Sequence, residues 1–145
     1  SGMSSRLFTR LRDDKGLAYQ VGSSFSANVN KGVFAVYIGT NPDNVQVARE
    51  GLFNEINLLK KEFVTEKELA EAKDKIMGNF VLSLETNMDK AEITNALEID
   101  GRGYNFLNKY QDLINSITVK DIIKTANKYF SQPYVYTIVA PENAM

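Results

Sequence analysis

The apolar positions near the start of the chain follow a helical spacing. Leu7, Phe8 and Leu11 form one face, which predicts a helix from Ser4 or Ser5 to Asp14. Gly16 follows, in the position where a left-handed residue ends a helix at the least cost. The chain should therefore leave this helix through a tight corner.

The polar side of the same helix carries three arginines. Arg6 and Arg10 lie four residues apart, and Arg10 can reach Asp14, so we expect both arginines to be solvated. Arg12 lies four residues after Phe8, at the border of the buried face. Its stem should follow apolar surface while its guanidinium meets solvent. Arg12 is therefore the arginine best placed to point into a cleft.

The next two apolar stretches have a period of two residues and predict a β-hairpin. Tyr19 and Val21 share the richer face of the first strand, and turn residues follow at Asn28–Gly32. Gly32–Thr40 is apolar on both faces, which favours a central position in a sheet. The two strands should pair with each other through the turn between them.

Stripes of apolar residues at three- and four-residue steps predict the helices that fill the rest of the chain. A final alternating segment predicts one more strand. In order, these segments are a helix opened by Asn41-Pro42-Asp43, a long helix capped by Thr65 and Glu68 that continues past a kink to Leu97, a terminator at Gly101-Arg102-Gly103, a helix from about Asn105, a helix capped by Thr118 and Asp121, and a strand at Tyr134–Ala140.

This order of elements places the chain in the α+β class. Strands at both ends with helices between them imply an antiparallel or mixed sheet that packs on helices on one face. A length of 145 residues, 43% of them apolar, is enough for one core. We therefore expect residues 1–145 to form a single, partial domain.

Composition and charge remove several classes of function. The net charge is −1, so we expect neither a nucleic acid nor an anionic membrane as a partner. No apolar run approaches the ~20 residues of a membrane helix, which predicts a soluble chain, with the cytoplasm favoured and the compartment otherwise unknown. The chain has no His and no Cys. It therefore cannot form a standard zinc site or a Ser-His triad by itself, and we expect no cofactor in it.

Three other candidate sites have a simpler structural interpretation. Glu85, Asp89 and Glu92 could hold an oxygen-ligand metal from one helix face, as in a free-standing magnesium enzyme, but a solvated face explains them better. Gly101–Gly103 follows a helix and lacks the other residues of a phosphate loop, so it is interpreted as a helix terminator. The tyrosines of Tyr134–Tyr136 suit an ordinary strand better than a base-stacking platform.

Arg12 and Tyr19 are the remaining candidates for chemistry. They lie seven residues apart and can converge across the Lys15-Gly16 corner. Both side chains are donors at neutral pH, and such donors stabilise the charge that develops on a carbonyl oxygen during acyl transfer. The residues alone leave a second interpretation open, in which Arg12 is an ordinary surface residue and Tyr19 a half-buried strand residue.

Several motifs together resemble one known family. They are the opening G-M-S-S-R-L-F, the corner L-R-x-x-x-G-L-A-Y, the hairpin end Y-I-G-T-x-P-D-N, the helix start T-E-x-E-L-x-x-A-K and the late T-V-x-D. Their combination resembles the C-terminal half-domain of the pitrilysin/insulinase-type zinc peptidases, the inverzincins, whose relatives include the mitochondrial processing peptidase. The resemblance implies a metallohydrolase-like half-domain that here lacks its first strand and helix.

The same resemblance implies a function for the chain and roles for its residues. It would be the substrate-binding half that completes the active site of a zinc metalloendopeptidase cleaving peptides or unfolded segments. The zinc motif H-x-x-E-H, and the zinc itself, would lie in an absent segment or a partner subunit. Arg12 and Tyr19 would bind the substrate backbone and help polarise the scissile carbonyl, and Gly2 and Met3 would also contact substrate.

A second function within the same family stays open. The chain could instead be a non-catalytic binding or assembly subunit, although the presence of both Arg12 and Tyr19 favours the enzyme. The missing first strand would leave a sheet edge exposed, so a homodimer is expected to be accessible to the isolated chain.

Overall fold

The computed structural model describes residues 5–28 and 31–141. The chain is helical from Arg6, with Phe8–Asp13 wound as a π-helix. Among the helices in these ranges, none is long and apolar enough to cross a membrane. The elements that follow are strands β1 (Gln20–Asn28) and β2 (Lys31–Gly39), a 3-10 turn at Pro42–Asn44, and helices α1 (Val45–Lys61), α2 (Glu66–Leu82), α3 (Asn87–Ile99), α4 (Phe106–Ser116) and α5 (Val119–Tyr129).

The residues group into two compact units. One contains the chain up to Glu62 together with the residues from Thr125 onward, and the other contains Phe63–Lys124. The N-terminal corner, the hairpin and α1 belong to the first unit, and α2, α3 and α4 belong to the second. That residues 1–145 form a single domain stays a prediction.

Strands β1 and β2 form the predicted antiparallel hairpin, with Gln20 opposite Gly39 and Val21 opposite Ile38. Within the described ranges the sheet has these two strands, so the predicted central position of β2 is wrong. The outer face of β2 accordingly meets solvent, and Val33 is 64% exposed. Residues that are apolar on both faces indicated a strand with two covered faces, but here only Val36 and Ile38 among the apolar residues of β2 are half-buried, and residues 31–35 are exposed.

The core of the first unit lies beneath the N-terminal corner. Leu11 has no exposed surface, and its side chain packs on α1 at Gly51. Because both the helical segment and the start of the hairpin contribute to this cluster, burial of apolar area holds the corner in place. The cluster consists of Leu11, Ala18, Val21 and Leu52, with half-buried Leu7, Phe8, Val36 and Ile38 packed against it.

In the second unit, the predicted long helix is broken into two. Helix α2 ends at Leu82 and α3 begins at Asn87, because Thr86 caps α3. The Asp89 N–H donates to Thr86 Oγ1, and the Thr86 N–H donates to Asp89 Oδ2, each at 3.1 Å. This reciprocal cap satisfies donors that a continuous helix would pair with its own carbonyls.

Three predicted helix ends are confirmed. The Glu68 N–H donates to Thr65 Oγ1 at 3.1 Å, and the Thr65 N–H donates to Glu68 Oε2 at 2.8 Å. The same exchange joins Thr118 and Asp121 at the start of α5. Gly101 ends α3 with a φ of 72°, the left-handed conformation that favours glycine.

The predicted last strand is wrong. Residues 134–140 run without strand pairing, and Val135 and Val139 are 92% and 96% exposed. The alternating pattern suits a strand, but no neighbouring strand among the described residues offers backbone partners. Helices and one antiparallel hairpin nevertheless confirm the α+β class. That a first strand and helix are missing, and that the isolated chain forms a dimer, stay predictions.

Candidate functional site

The segment that precedes the corner is wound more widely than an α-helix. The Asp14 N–H donates to the Thr9 carbonyl at 2.8 Å, five residues back, and the Leu17 N–H donates to the Leu11 carbonyl at 2.9 Å. Such wide turns are rare in proteins, and those that occur are often found at functional sites. Here Leu11 is fully buried and the next residue, Arg12, is exposed.

The Arg12 side chain lies over the ring of Phe8. Its Cζ is 4.5 Å from the ring centroid, within the range of a cation–π contact. No described residue takes a hydrogen bond from this guanidinium. The guanidinium carbon itself lies over this half-buried ring, and Arg12 as a whole is exposed; that its stem follows apolar surface stays a prediction. A guanidinium that lies on a ring face and is exposed to solvent is suited to binding a carbonyl or carboxylate oxygen.

The corner itself is held by a left-handed glycine. Gly16 has a φ of 61°, and its N–H donates to the Arg12 carbonyl at 3.0 Å, as predicted for a helix-ending residue. Ala18, two residues later, is buried at 9% exposure. The chain between the two candidate residues is therefore anchored at both ends by core residues, Leu11 and Ala18.

Tyr19 lies just before β1. Its N–H donates to the Gly39 carbonyl at 3.1 Å, and its ring lies against Gly39. Tyr19 is 74% exposed whereas Val21 is 8% exposed, so the prediction that they share a strand face is wrong. The reason is that β1 begins at Gln20, which leaves the Tyr19 side chain outside the alternation of the strand.

The prediction that Arg12 and Tyr19 converge on one substrate atom stays a prediction. In the described ranges, no hydrogen bond joins their side chains. Both are exposed, and each is adjacent in sequence to a core residue. Gly2 and Met3, the other predicted substrate-binding residues, lie outside the described residues.

Arg10 is not the solvated residue that the sequence predicts. Its Nη1 lies 3.0 Å from Oε2 of Glu55 in α1, a residue that is 8% exposed. Arg6 is half-buried rather than solvated. The Arg10–Glu55 ion pair ties the helical segment to α1 and thereby supports the position of Arg12. Sequence reasoning could not find Glu55, because 45 residues separate the partners.

Comparison with known proteins gives the chain its family. Residues 1–76 match the model of the family described as "Peptidase M16 inactive domain". The chain belongs to this family. It is 30% identical over 143 residues to the "Uncharacterized zinc protease YmxG" of Bacillus subtilis (strain 168), covering 99% of this chain and 35% of that protein.

Other relatives have the same character. An "Uncharacterized zinc protease" of Rickettsia felis (strain ATCC VR-1525 / URRWXCal2) is 36% identical over 148 residues, covering 98% of this chain and 34% of that protein. This M16 domain thus spans about a third of the length of the curated relatives that it matches. Proteins named as zinc proteases therefore contain a region like it.

Solved structures share the fold. The peptidase M16 inactive domain from Pseudomonas fluorescens superposes with a TM-score of 0.76 at 24% identity, covering 88% of this chain and 30% of that chain. A protease from Helicobacter pylori gives a TM-score of 0.74 at 30% identity, covering 90% and 31%. The resemblance predicted from the sequence motifs is confirmed at the level of the family and its fold.

The predicted alternative of a carboxylate metal site does not fit this M16 domain. Glu85 lies in the turn between α2 and α3, outside the helix that carries Asp89 and Glu92. The Asp89 carboxylate is engaged in the cap of α3, and the hydrogen bond from the Thr86 side chain holds the pKa of Asp89 below its ordinary value. The three carboxylates therefore form no common helix face.

The aromatic residues after α5 pack on α1 instead of forming an open stacking platform. The Tyr134 ring centroid lies 5.1 Å from that of Phe53, and Arg49 Cζ lies 4.9 Å from the ring centroid of Tyr136. Neither Arg12 nor Tyr19 borders the open groove of about 520 Å³ beside these rings. The residues lining that groove are Gln46, Arg49, Glu50, Phe53, Asn54, Asn57 and Tyr134.

The residues of this chain do not fit the zinc that the names of its relatives imply. The sequence contains no His and no Cys, the usual ligands of zinc in proteins. Across residues 5–28 and 31–141, no three Asp or Glu side chains lie close enough together to hold a metal ion. The groups with chemistry at the corner are donors of hydrogen bonds, namely Arg12 and Tyr19.

Proposed function

We propose that this M16 domain is the substrate-binding half that completes the active site of a zinc metalloendopeptidase. The substrate would be a peptide or an unfolded protein segment. The zinc would be held by a complementary half, either elsewhere in the same polypeptide or in a partner subunit. The proposal is supported by relatives that are named zinc proteases and are about three times as long as this chain.

The observation that carries the proposal is the exposed pair of donors on a rigid corner. Arg12 and Tyr19 each follow a buried residue, Leu11 and Ala18, so their backbones are fixed while their side chains are open to a ligand. Their types and spacing also match the family pattern that the sequence resembles.

The chemistry of these donors suits the carbonyl oxygens of a peptide. The Arg12 guanidinium offers several N–H donors and a fixed charge, and the Tyr19 phenol offers one O–H. During hydrolysis of an amide the carbonyl oxygen gains negative charge, so donors aimed at it bind the transition state more tightly than the substrate. Neither side chain needs to accept a proton for this role.

Replacement of Tyr19 by phenylalanine in the assembled protease tests the proposal. Loss of one donor to a developing oxyanion costs about 2.7 to 4 kcal/mol, so kcat should fall roughly a hundredfold or more. Tyr104→Phe is the matched control, because Tyr104 is 61% exposed and lies in the other compact unit. Full turnover in Tyr19→Phe would exclude Tyr19 from the reaction.

A second function is favoured by the description of the family as an inactive domain. In this alternative the chain binds peptide or builds a complex without taking part in turnover. The same variants separate the two functions when peptide binding is measured beside turnover. A non-catalytic subunit would lose peptide affinity in Tyr19→Phe and Arg12→Gln while the turnover number of the assembled protease stays unchanged.

A further inference from the structure

Gly39, the last residue of β2, lies next to the hydroxyl end of the Tyr19 ring. A Cβ atom built on Gly39 would stand 2.5 Å from Tyr19 Cζ, 2.7 Å from its Oη and 2.9 Å from its Cε1. Carbon atoms that are not bonded pack best at about 3.5 to 4.0 Å. No side chain larger than hydrogen therefore fits at position 39 while the Tyr19 ring keeps its place.

The backbone does not explain the glycine at this position. In the described parts of the chain, the glycines with a left-handed φ are Gly16, Gly101 and Gly103. Gly39 lies at the end of a regular strand, in a conformation that any residue can adopt. The ring of Tyr19 is therefore what excludes a side chain here.

The Tyr19 ring has little else to hold it. It is 74% exposed, and no described residue forms a hydrogen bond with its hydroxyl. The Tyr19 N–H donates to the Gly39 carbonyl at 3.1 Å, so one residue contacts both the backbone and the ring of the tyrosine. The missing side chain at Gly39 therefore leaves the space that the hydroxyl end of this ring occupies.

We propose that Gly39 is a positioning residue that sets the location of the Tyr19 hydroxyl in the active site. This inference rests on the proposed catalytic role of Tyr19. A methyl group at position 39 has to push the ring about 1 Å away, since the contact must open from 2.5 Å to about 3.5 Å. A displacement of 1 Å in a reacting group can lower the rate about a hundredfold.

The test compares four forms of the assembled protease: the unchanged protein, Gly39→Ala, Tyr19→Phe and the double variant. Gly39→Ala should lower kcat by roughly ten- to a hundredfold, with most of the loss in kcat rather than KM. In the Tyr19→Phe background, Gly39→Ala should cause no further loss, because the hydroxyl that it displaces is already gone. A merely structural role would give the same loss in both backgrounds.

Gly32→Ala is the matched control, since Gly32 lies in the same strand with its built Cβ 3.3 Å from Phe25 Cε2 and far from Tyr19 in the register. It should leave turnover unchanged. ¹⁹F NMR of the fluorotyrosine-labelled protein gives a readout that does not depend on activity. The signal that disappears in Tyr19→Phe should shift in Gly39→Ala and stay in place in Gly32→Ala.

The outcomes separate the two proposals. If Tyr19→Phe loses turnover but Gly39→Ala neither loses it nor shifts the Tyr19 signal, the positioning role is overturned and the proposed function stands. Full turnover in Tyr19→Phe overturns both. If Gly39→Ala lowers the melting temperature, Tyr19→Ala added to it should restore stability by removing the ring that the methyl strikes, and failure to do so counts against the contact.

Discussion

Replacement of Leu11 by alanine should destabilise the first compact unit more than an ordinary surface truncation. Leu11 is the large side chain with 0% exposure, and it joins the helical segment to α1. A Cβ built on Gly51 would lie 2.8 Å from Leu11 Cδ2, which shows how closely the leucine packs on that helix. Because the neighbouring atoms are already closely packed, they can move only a little into the cavity that the truncation leaves.

The expected loss follows from the atoms removed. Leucine to alanine deletes three carbon atoms, which at about 0.8 kcal/mol each gives ~2.4 kcal/mol for the lost transfer free energy. The cavity left behind adds to this, so the free energy of unfolding should fall by about 3 to 4 kcal/mol, within the measured range of about 2 to 5. Most proteins have only about 5 to 15 kcal/mol of stability in total, so the variant will be marginal.

Urea denaturation followed by circular dichroism at 222 nm measures the effect. Leu82→Ala is the control, because Leu82 is 67% exposed and its truncation creates no cavity. Gly51→Ala alone should destabilise by about 1 to 3 kcal/mol, since its methyl strikes Leu11. Combined with Leu11→Ala, the same methyl enters vacated space, and the total loss should be smaller than the sum by about 0.5 to 3 kcal/mol.

Two results would refute this reasoning. If Leu11→Ala lowers the free energy of unfolding by less than about 1 kcal/mol, the neighbouring atoms must have closed around the shorter side chain, because truncation of a buried residue usually costs more than this. Strictly additive effects of Leu11→Ala and Gly51→Ala would mean that the two residues do not contact each other. Either result would remove the argument that this contact anchors the corner carrying Arg12.

Two further predictions concern groups away from the Leu11 contact. Arg10→Met leaves the Glu55 carboxylate, which is 8% exposed, without its cation. Because Arg10 itself is partly exposed, the free energy of unfolding should fall by only about 1.5 kcal/mol. A fall of less than about 0.5 kcal/mol, measured by urea denaturation, would contradict the pairing. Hydrogen bonds from Thr118 hold the pKa of Asp121 below its ordinary 3.8, so the stability that this cap gives α5 is present above pH 3.8 and is lost as pH falls through the lower folded value. Thr118→Val should raise the pKa of Asp121 toward 3.8 in a carboxyl NMR titration, and an unchanged pKa would refute this cause.

Helix caps could be predicted from the sequence because their partners are local. Thr65 and Glu68 exchange hydrogen bonds within one turn, so residue type and spacing are enough to locate them. Thr86 and Asp89 form an equally local cap, but the apolar stripe that runs through this region predicted a helix that continues past a kink. The cap at Thr86 decides where α3 begins.

Tertiary partners could not be predicted in this way. The ion pair of Arg10 with Glu55 and the contact of Tyr19 with Gly39 join residues far apart in sequence. A pattern of residue types predicts the face of a helix or strand on which a side chain lies, but not which residue of another element that side chain contacts. Residues 134–140 have the alternating pattern that is typical of a strand. They form no strand here, because no described strand lies beside them to pair with their backbone.

The two donors of the corner are held by different physical contacts, and this difference sets how each responds to change. Arg12 is attracted to the face of Phe8, a contact that tolerates shifts of several tenths of an ångström because electrostatic attraction to a ring varies slowly with distance. Tyr19 rests on Gly39 through repulsion at short range, which rises steeply once any atom is added. In the proposed function, the guanidinium should therefore adapt to differently placed carbonyl oxygens, whereas the phenol is prevented from moving toward Gly39. A side chain added at position 39 should accordingly change the contribution of Tyr19 and leave that of Arg12 in place.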